Sequence, residues 1–149
     1  MKRHPALMPL SRQHHQLLVL AQVLKHDVPA YKNMPATPSE QRAYALERYT
    51  KLLEPHFAWE EKVLFPLAER YGDKLQRLVA QVLAEHQALR DAFEQLSLAA
   101  EADLPQELDL LGRALSANVR FEERVLFQKM QELLPESAWI SMEQPGRWN

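Results

Sequence analysis

The sequence contains no cysteine, which removes disulfides, thiolate nucleophiles, iron–sulfur clusters and cysteine-based zinc sites together. Any metal must be held by histidine, carboxylate or water. Glycine is nearly as scarce, with 3 residues in 149, so glycine-dependent hairpins and phosphate-binding loops have almost nothing to be built from. Long apolar runs are missing too. The stretch from Leu17 to Ala21 is far short of the ~18 residues that cross a bilayer. The opening Met1-Lys2-Arg3-His4-Pro5 leads into an apolar stretch broken at Pro9, too short for a signal peptide. Neither sign of charge dominates: 18 Lys and Arg face 20 Asp and Glu, and no block of five like charges occurs. These absences argue against nucleic acid and membrane partners, and the expected location is the cytoplasm.

What is present is a chain with 46% hydrophobic residues, rich in Leu, Ala, Glu and Gln, long enough for one domain with a real core. The expected class is all-α, an up-and-down antiparallel four-helix bundle over residues 1–135, followed by a tail, 136–149. A first helix is expected from Ser11, read as its N-cap, to about Asp27; Pro29, Pro35 and Pro38 make the next stretch a loop. A second opens at Thr37-Pro38-Ser39-Glu40 as a capping box and runs to Arg70, disturbed at Pro55 and Pro66. Gly72 and Asp73 close it and cap a third, which runs to about Ala99; a fourth starts at Leu104-Pro105 and ends at Pro135. The tail carries Trp139, Ile140, Met142 and Trp148, apolar enough to lie on the bundle or to join a partner protein or a second copy.

Helical periodicity places polar residues inside. Positions 7, 10, 14, 17, 21, 24 and 28 form an apolar seam interrupted only by His14, and positions 75, 79, 82, 86, 89, 93 and 96 form one interrupted only by His86. The second helix aligns Tyr49, Leu52, His56, Glu60 and Val63; the fourth aligns Leu108, Leu111, Leu115, Asn118, Glu122 and Val125. A buried carboxylate without a partner costs several kcal/mol or stays protonated, and metal coordination is one way to satisfy it. His56 and Glu60, spaced i and i+4, stack one turn apart and reach one cation or a close pair. Alone this pair is weak, since six histidines among 20 acidic residues give about 0.8 such pairs by chance.

A repeat strengthens it. Glu60-Glu61-Lys62-Val63-Leu64-Phe65 recurs as Glu122-Glu123-Arg124-Val125-Leu126-Phe127, each copy preceded by a helix with a lone core histidine. Asn118 falls where a second copy of His56 is expected.

With these motifs the chain resembles the hemerythrin-like (HHE cation-binding) family. The resemblance runs from Leu10-Ser11-Arg12-Gln13-His14-His15 through His56-Phe57-Ala58-Trp59-Glu60-Glu61 and Glu85-His86 to Arg120-Phe121-Glu122-Glu123. It implies a four-helix bundle holding two non-haem irons, with His14, His56, Glu60, His86 and Glu122 as metal ligands and the two glutamates as bridges. Asn118, at the cofactor site where the family has histidine, departs from the pattern. The expectation is one well-held position from His14, His56 and the glutamates, and a poorer one around His86. The resemblance also implies a small ligand such as dioxygen or nitric oxide.

Blander assignments stand beside these. A core histidine is commonly a hydrogen-bonded structural residue, but the shared register of His14 and His86 favours ligation. His15 is expected on the solvated face, Glu61 and Glu123 at the surface or behind the ligands, and Trp59, Phe65, Phe121 and Phe127 in the core, while His4 and His26 carry no signal. Ferritin-like Glu-x-x-His pairs, a hydrolase elbow and a P-loop are all missing, so the reading is of a binding protein rather than an enzyme. The alternative is a metal-free bundle acting as an interaction module.

Overall fold

A computed structural model describes residues 2–142. Four long helices account for most of it. Helix α1 spans Met8–Leu24, entered through a 3₁₀ turn at Pro5–Leu7. Helix α2 occupies residues 38–69 as the α segments Pro38–Arg48, Glu54–Trp59 and Phe65–Glu69, separated by the wide π turns Tyr49–Leu53 and Glu60–Leu64. Helix α3 is Asp73–Leu98. Helix α4 covers residues 104–133, with a π turn at Glu122–Leu126 between Leu104–Phe121 and Phe127–Leu133. A short α5, Glu136–Ser141, follows.

The long-range bonds give an up-and-down order. The segment before α1 meets the end of α4 through Arg3 and Gln131, while His26, just past α1, meets Asp109 near the start of α4. Gln13 pairs with His56 and Gln41 with the Val23 carbonyl, so α1 and α2 are antiparallel; Glu61 pairs with His86 and Gln76 with the Glu69 carbonyl, so α2 and α3 are too.

Several helix ends differ from the sequence reading. Ser11 is not an N-cap: α1 begins three residues earlier, tolerating Pro9 in its first turn, and the Ser11 hydroxyl donates instead to the Glu123 carboxylate. The helix ends at Leu24 rather than Asp27, whose φ of 56° is incompatible with a continuing helix. Thr37 does cap α2, its hydroxyl oxygen accepting from the Glu40 amide at 3.3 Å. Gly72, at φ 111°, takes the N-cap position of α3, and Asp73 is its first helical residue.

The π turns correct the seams of α2 and α4. Leu53, Leu64 and Leu126 are buried, whereas Leu52 and Val63 are half-buried and Val125 is exposed. A π turn adds a residue to one turn of helix and so hands the inward position to the next side chain. Pro55 and Pro66 each follow one of these turns, where the missing N–H would otherwise interrupt the ladder. The Glu122 turn has no such proline, so the repeated Glu-Glu-Lys/Arg-Val-Leu-Phe segment itself accompanies the widening.

Two apolar clusters fill the bundle. One contains Leu7, Leu10, Leu64, Phe65, Val82, Leu126 and Phe127 and receives Ala138, Trp139 and Met142 from α5 and its end. The other contains Leu17, Leu53, Phe57, Leu89, Phe93, Leu115 and Val119. Between them lies a belt of buried polar side chains: His14, His56, Glu60, His86, Asn118 and Glu122, none more than 3% exposed. Ile140 is exposed, and Trp148 lies outside the described residues. No helix among the described residues is long and apolar enough to cross a membrane.

Candidate metal centre

Each long helix contributes to the belt from its middle. His14 sits between Leu10 and Leu17 on α1, and His86 between Val82 and Leu89 on α3. Glu60 and Glu122 are the first residues of the two matching π turns. Because two successive residues of each turn face inward, the neighbours Glu61 and Glu123 also reach core histidines.

The three histidines share one arrangement. Each has Nδ1 held by an outer partner: His14 by Glu123, His56 by Gln13 at 2.6 Å and His86 by Glu61 at 2.7 Å. Each aims Nε2 at the central carboxylates. His14 Nε2 lies 3.2 Å from Glu122 Oε1 and 3.7 Å from Glu60 Oε2, and His56 Nε2 lies 3.3 Å from Glu60 Oε2. His86 Nε2 faces the opposite oxygens, 2.9 Å from Glu122 Oε2 and 3.4 Å from Glu60 Oε1. Both glutamates therefore span the gap between His14 and His86. An outer hydrogen bond on one imidazole nitrogen fixes the tautomer and frees the other nitrogen for a metal.

Ligand atoms from His14, His56, Glu60 and Glu122 all lie within 4.8 Å of one another. Four atoms of the belt, His14 Nε2, both Glu60 oxygens and Glu122 Oε1, are buried without a hydrogen bond of acceptable geometry. Leaving a buried polar atom unpaired costs about 1–3 kcal/mol, so four along the belt mark a place suited to a cation. Two imidazoles and two carboxylates suit a divalent first-row transition metal, and the residues fit such an ion. On the other side, His86 Nε2 faces the remaining oxygens of these two glutamates, Glu60 Oε1 and Glu122 Oε2.

Asn118 explains the asymmetry. Its Nδ2 donates to Glu85 Oε1 at 2.9 Å, and Glu85 directly precedes His86 as Gln13, the partner of His56, directly precedes His14. The belt is thus two similar halves, Gln13-His14 with His56 and Glu60-Glu61, and Glu85-His86 with Asn118 and Glu122-Glu123. In the second, an amide stands where an imidazole ends in the first.

The charges follow from this packing. Burial alone would lower the His14 pKa, but Glu122, Glu123 and Glu60 together hold it well above the usual histidine range. Burial opposes the His86 proton too, yet Glu122 and Glu61 lift its pKa to about 9. For Glu122, burial pushes upward, and the adjacent Glu60 carboxyl with His14 and His86 more than offsets it, keeping the group well below the usual carboxylate range. Burial alone predicts the reverse; the hydrogen bond with the Glu60 carboxyl and the two imidazole neighbours reverse the sign.

Outer residues that the sequence reading passed over complete the picture. Arg90, one turn beyond His86, binds Glu61 at 2.9 Å and Glu54 through two bonds of 3.0 Å, and Tyr49 donates to Glu54 at 2.7 Å. Phe57 lies between the Arg90 guanidinium and the His86 ring, stacked on the latter at 3.7 Å. The i, i+4 relation of His86 and Arg90 is the one sequence signal that points to this cluster. Gln13 is signalled only by its place beside His14. His15 and His26 are exposed, Phe65 and Phe127 are buried, and Trp59 and Phe121 are half-buried against the core.

A helical bundle with histidines and glutamates converging midway along it defines a class of buried cation-binding proteins. The chain matches the hemerythrin HHE cation-binding domain over residues 9–130 and belongs to that family. Comparison with curated proteins and with solved structures gives no match.

Proposed function

We propose that this protein binds non-haem iron in the polar belt, with His14, His56, Glu60 and Glu122 forming the main position and His86 with the opposite carboxylate oxygens a weaker one beside it. The observation that carries the reading is the convergence of buried ligand atoms from His14, His56, Glu60 and Glu122 within 4.8 Å of one another, with His14 Nε2, both Glu60 oxygens and Glu122 Oε1 lacking well-formed hydrogen bonds. Bound iron supplies a redox couple and a coordination position for a small ligand, dioxygen or nitric oxide. The chain supplies the rest: Glu123, Gln13 and Glu61 orient the imidazoles, and the two apolar clusters keep bulk water from the belt. A metal-free interaction module has to balance these buried groups by ion pairs between histidine and glutamate alone. The test is anaerobic loading with ferrous iron, followed by optical spectra before and after addition of dioxygen or nitric oxide. Iron uptake with new absorption on ligand addition supports the reading. Uptake without any spectral response leaves a metal site but removes the small-ligand role, and no uptake removes both.

A further inference from the structure

The segment before α1 has no metal-site motif in its sequence, yet residues 2–4 reach the belt through one carboxylate, that of Glu123. Arg3 donates from Nη2 to the Glu123 carbonyl at 2.8 Å and to Glu123 Oε1 at 3.1 Å, and Glu123 holds His14 Nδ1. The same guanidinium lies over the Phe127 ring, 5.5 Å from its centre, and Phe127 stacks on His14 at 5.4 Å. Arg3 thus meets His14 by two routes, as Arg90 meets His86 through Glu61 and Phe57. The supports differ. Arg90 projects from the same helix as His86, whereas Arg3 lies outside the four long helices and stays in place only while its own segment is held.

What holds that segment is the far end of the described chain. The Gln131 side-chain oxygen accepts from the His4 amide at 3.0 Å and from Arg3 Nη1 at 3.2 Å, while its amide donates to the Lys2 carbonyl at 2.8 Å. His4 stacks on Trp139 with ring centres 4.5 Å apart, and its Nε2 lies 3.2 Å from Glu136 Oε2. Trp139 and Ala138 are buried in the apolar cluster on this side of the belt.

We infer that Arg3 is a positioning residue for the metal ligand His14, and that residues 2–7 and α5 form a clasp whose closure is coupled to cation binding. This rests on the metal reading above. Coupling is reciprocal: if the closed clasp tightens the cation, the cation must tighten the clasp to the same degree. Partners that orient a ligating histidine typically contribute about 10–100-fold in metal affinity.

The experiment measures anaerobic ferrous iron affinity of the full chain, wild type against Arg3→Gln, Arg3→Lys, Gln131→Ala and the Arg3→Gln/Gln131→Ala pair. Arg113→Gln, which breaks a contact with Asp109 and the His26 carbonyl at the other end of α1, serves as a control. Hydrogen exchange of residues 2–7 and 136–141 is followed with and without iron. The expected result is about a tenfold or greater loss in Arg3→Gln, partial recovery in Arg3→Lys, a double variant no worse than Arg3→Gln alone, an unchanged Arg113→Gln, and iron-dependent protection of both segments. Equal affinity in wild type and Arg3→Gln, with exchange of both segments indifferent to iron, would overturn the clasp and leave the metal site standing. Should Arg3→Gln fail to fold, wild-type exchange decides alone: protection supports the coupling and its absence overturns it. Wild type that takes up no ferrous iron would overturn both the clasp and the reading beneath it.

Discussion

Asn118 carries the difference between the two halves of the belt. Its Nδ2 occupies, relative to Glu85, the place that His56 Nδ1 occupies relative to Gln13. Asn118→His should keep that bond through its own Nδ1 and extend Nε2 toward Glu122, one turn on. The variant should hold a second iron more tightly than wild type, measured as iron per chain by titration; a second equivalent bound equally well by wild type would show that Asn118 is no obstacle. Protonation gives a further test at the same scale. A cation must displace the protons that the neighbouring carboxylates keep on His86 up to about pH 9 and on His14 well above the usual histidine range. The unbound histidines are therefore protonated at low pH and release their protons on loading, so affinity should rise between pH 6 and 9 with protons appearing in a pH-stat. Uptake indifferent to pH across that range would argue against these two residues as ligands.

At the scale of elements, α1 and α3 are the legible part of the sequence. Their seams keep regular helical spacing, so the inward positions of His14 and His86, and of the leucines beside them, follow from counting. In α2 and α4 counting fails at the π turns, at Leu52 in the first π turn of α2 and after Glu60 and Glu122, because a π turn depends on backbone hydrogen bonding that residue spacing does not record. The inward placement of those two glutamates survives because they begin the turns; Val63 and Val125 come after and lose theirs. Ser11 departs from its expected cap role for a related reason. A serine ahead of an apolar seam looks like a cap, and only the folded chain brings Glu123 to its hydroxyl. The repeat revealed the site's two halves, but Arg3 and Gln131 are joined across the whole chain and have no local signature. The α1–α4 contact gives an element-scale prediction. A Cβ on Gly112 would meet the Ala21 carbonyl oxygen at 2.7 Å and Leu24 Cβ at 3.1 Å, and a helix backbone cannot swing aside as a side-chain tip can. Overpacking costs about 1–3 kcal/mol and outweighs the gain of up to about 1 kcal/mol in helix propensity. Gly112→Ala should lower the urea midpoint, and an unchanged or raised midpoint would mean the helices separate freely there.

For the whole molecule, the belt divides one core into two, and the cation would join them. Binding to the folded state alone stabilises it by about 2.7 kcal/mol at a hundredfold excess over the dissociation constant, roughly 5–10 °C in Tm for a domain of this size. Iron-loaded and verified iron-free samples should differ by that order in calorimetry, and superimposable transitions would point to a belt that is stable by ion pairing alone. The most direct measurement is the iron content per chain after anaerobic equilibrium dialysis of wild type, His14→Ala and Glu122→Gln side by side, with folding verified by circular dichroism. The account predicts at least one tightly held iron in wild type and its loss in both variants, since each removes a ligand from the same point. Folded wild type without iron, or variants that retain it undiminished, would contradict the assignment of the belt as a metal centre.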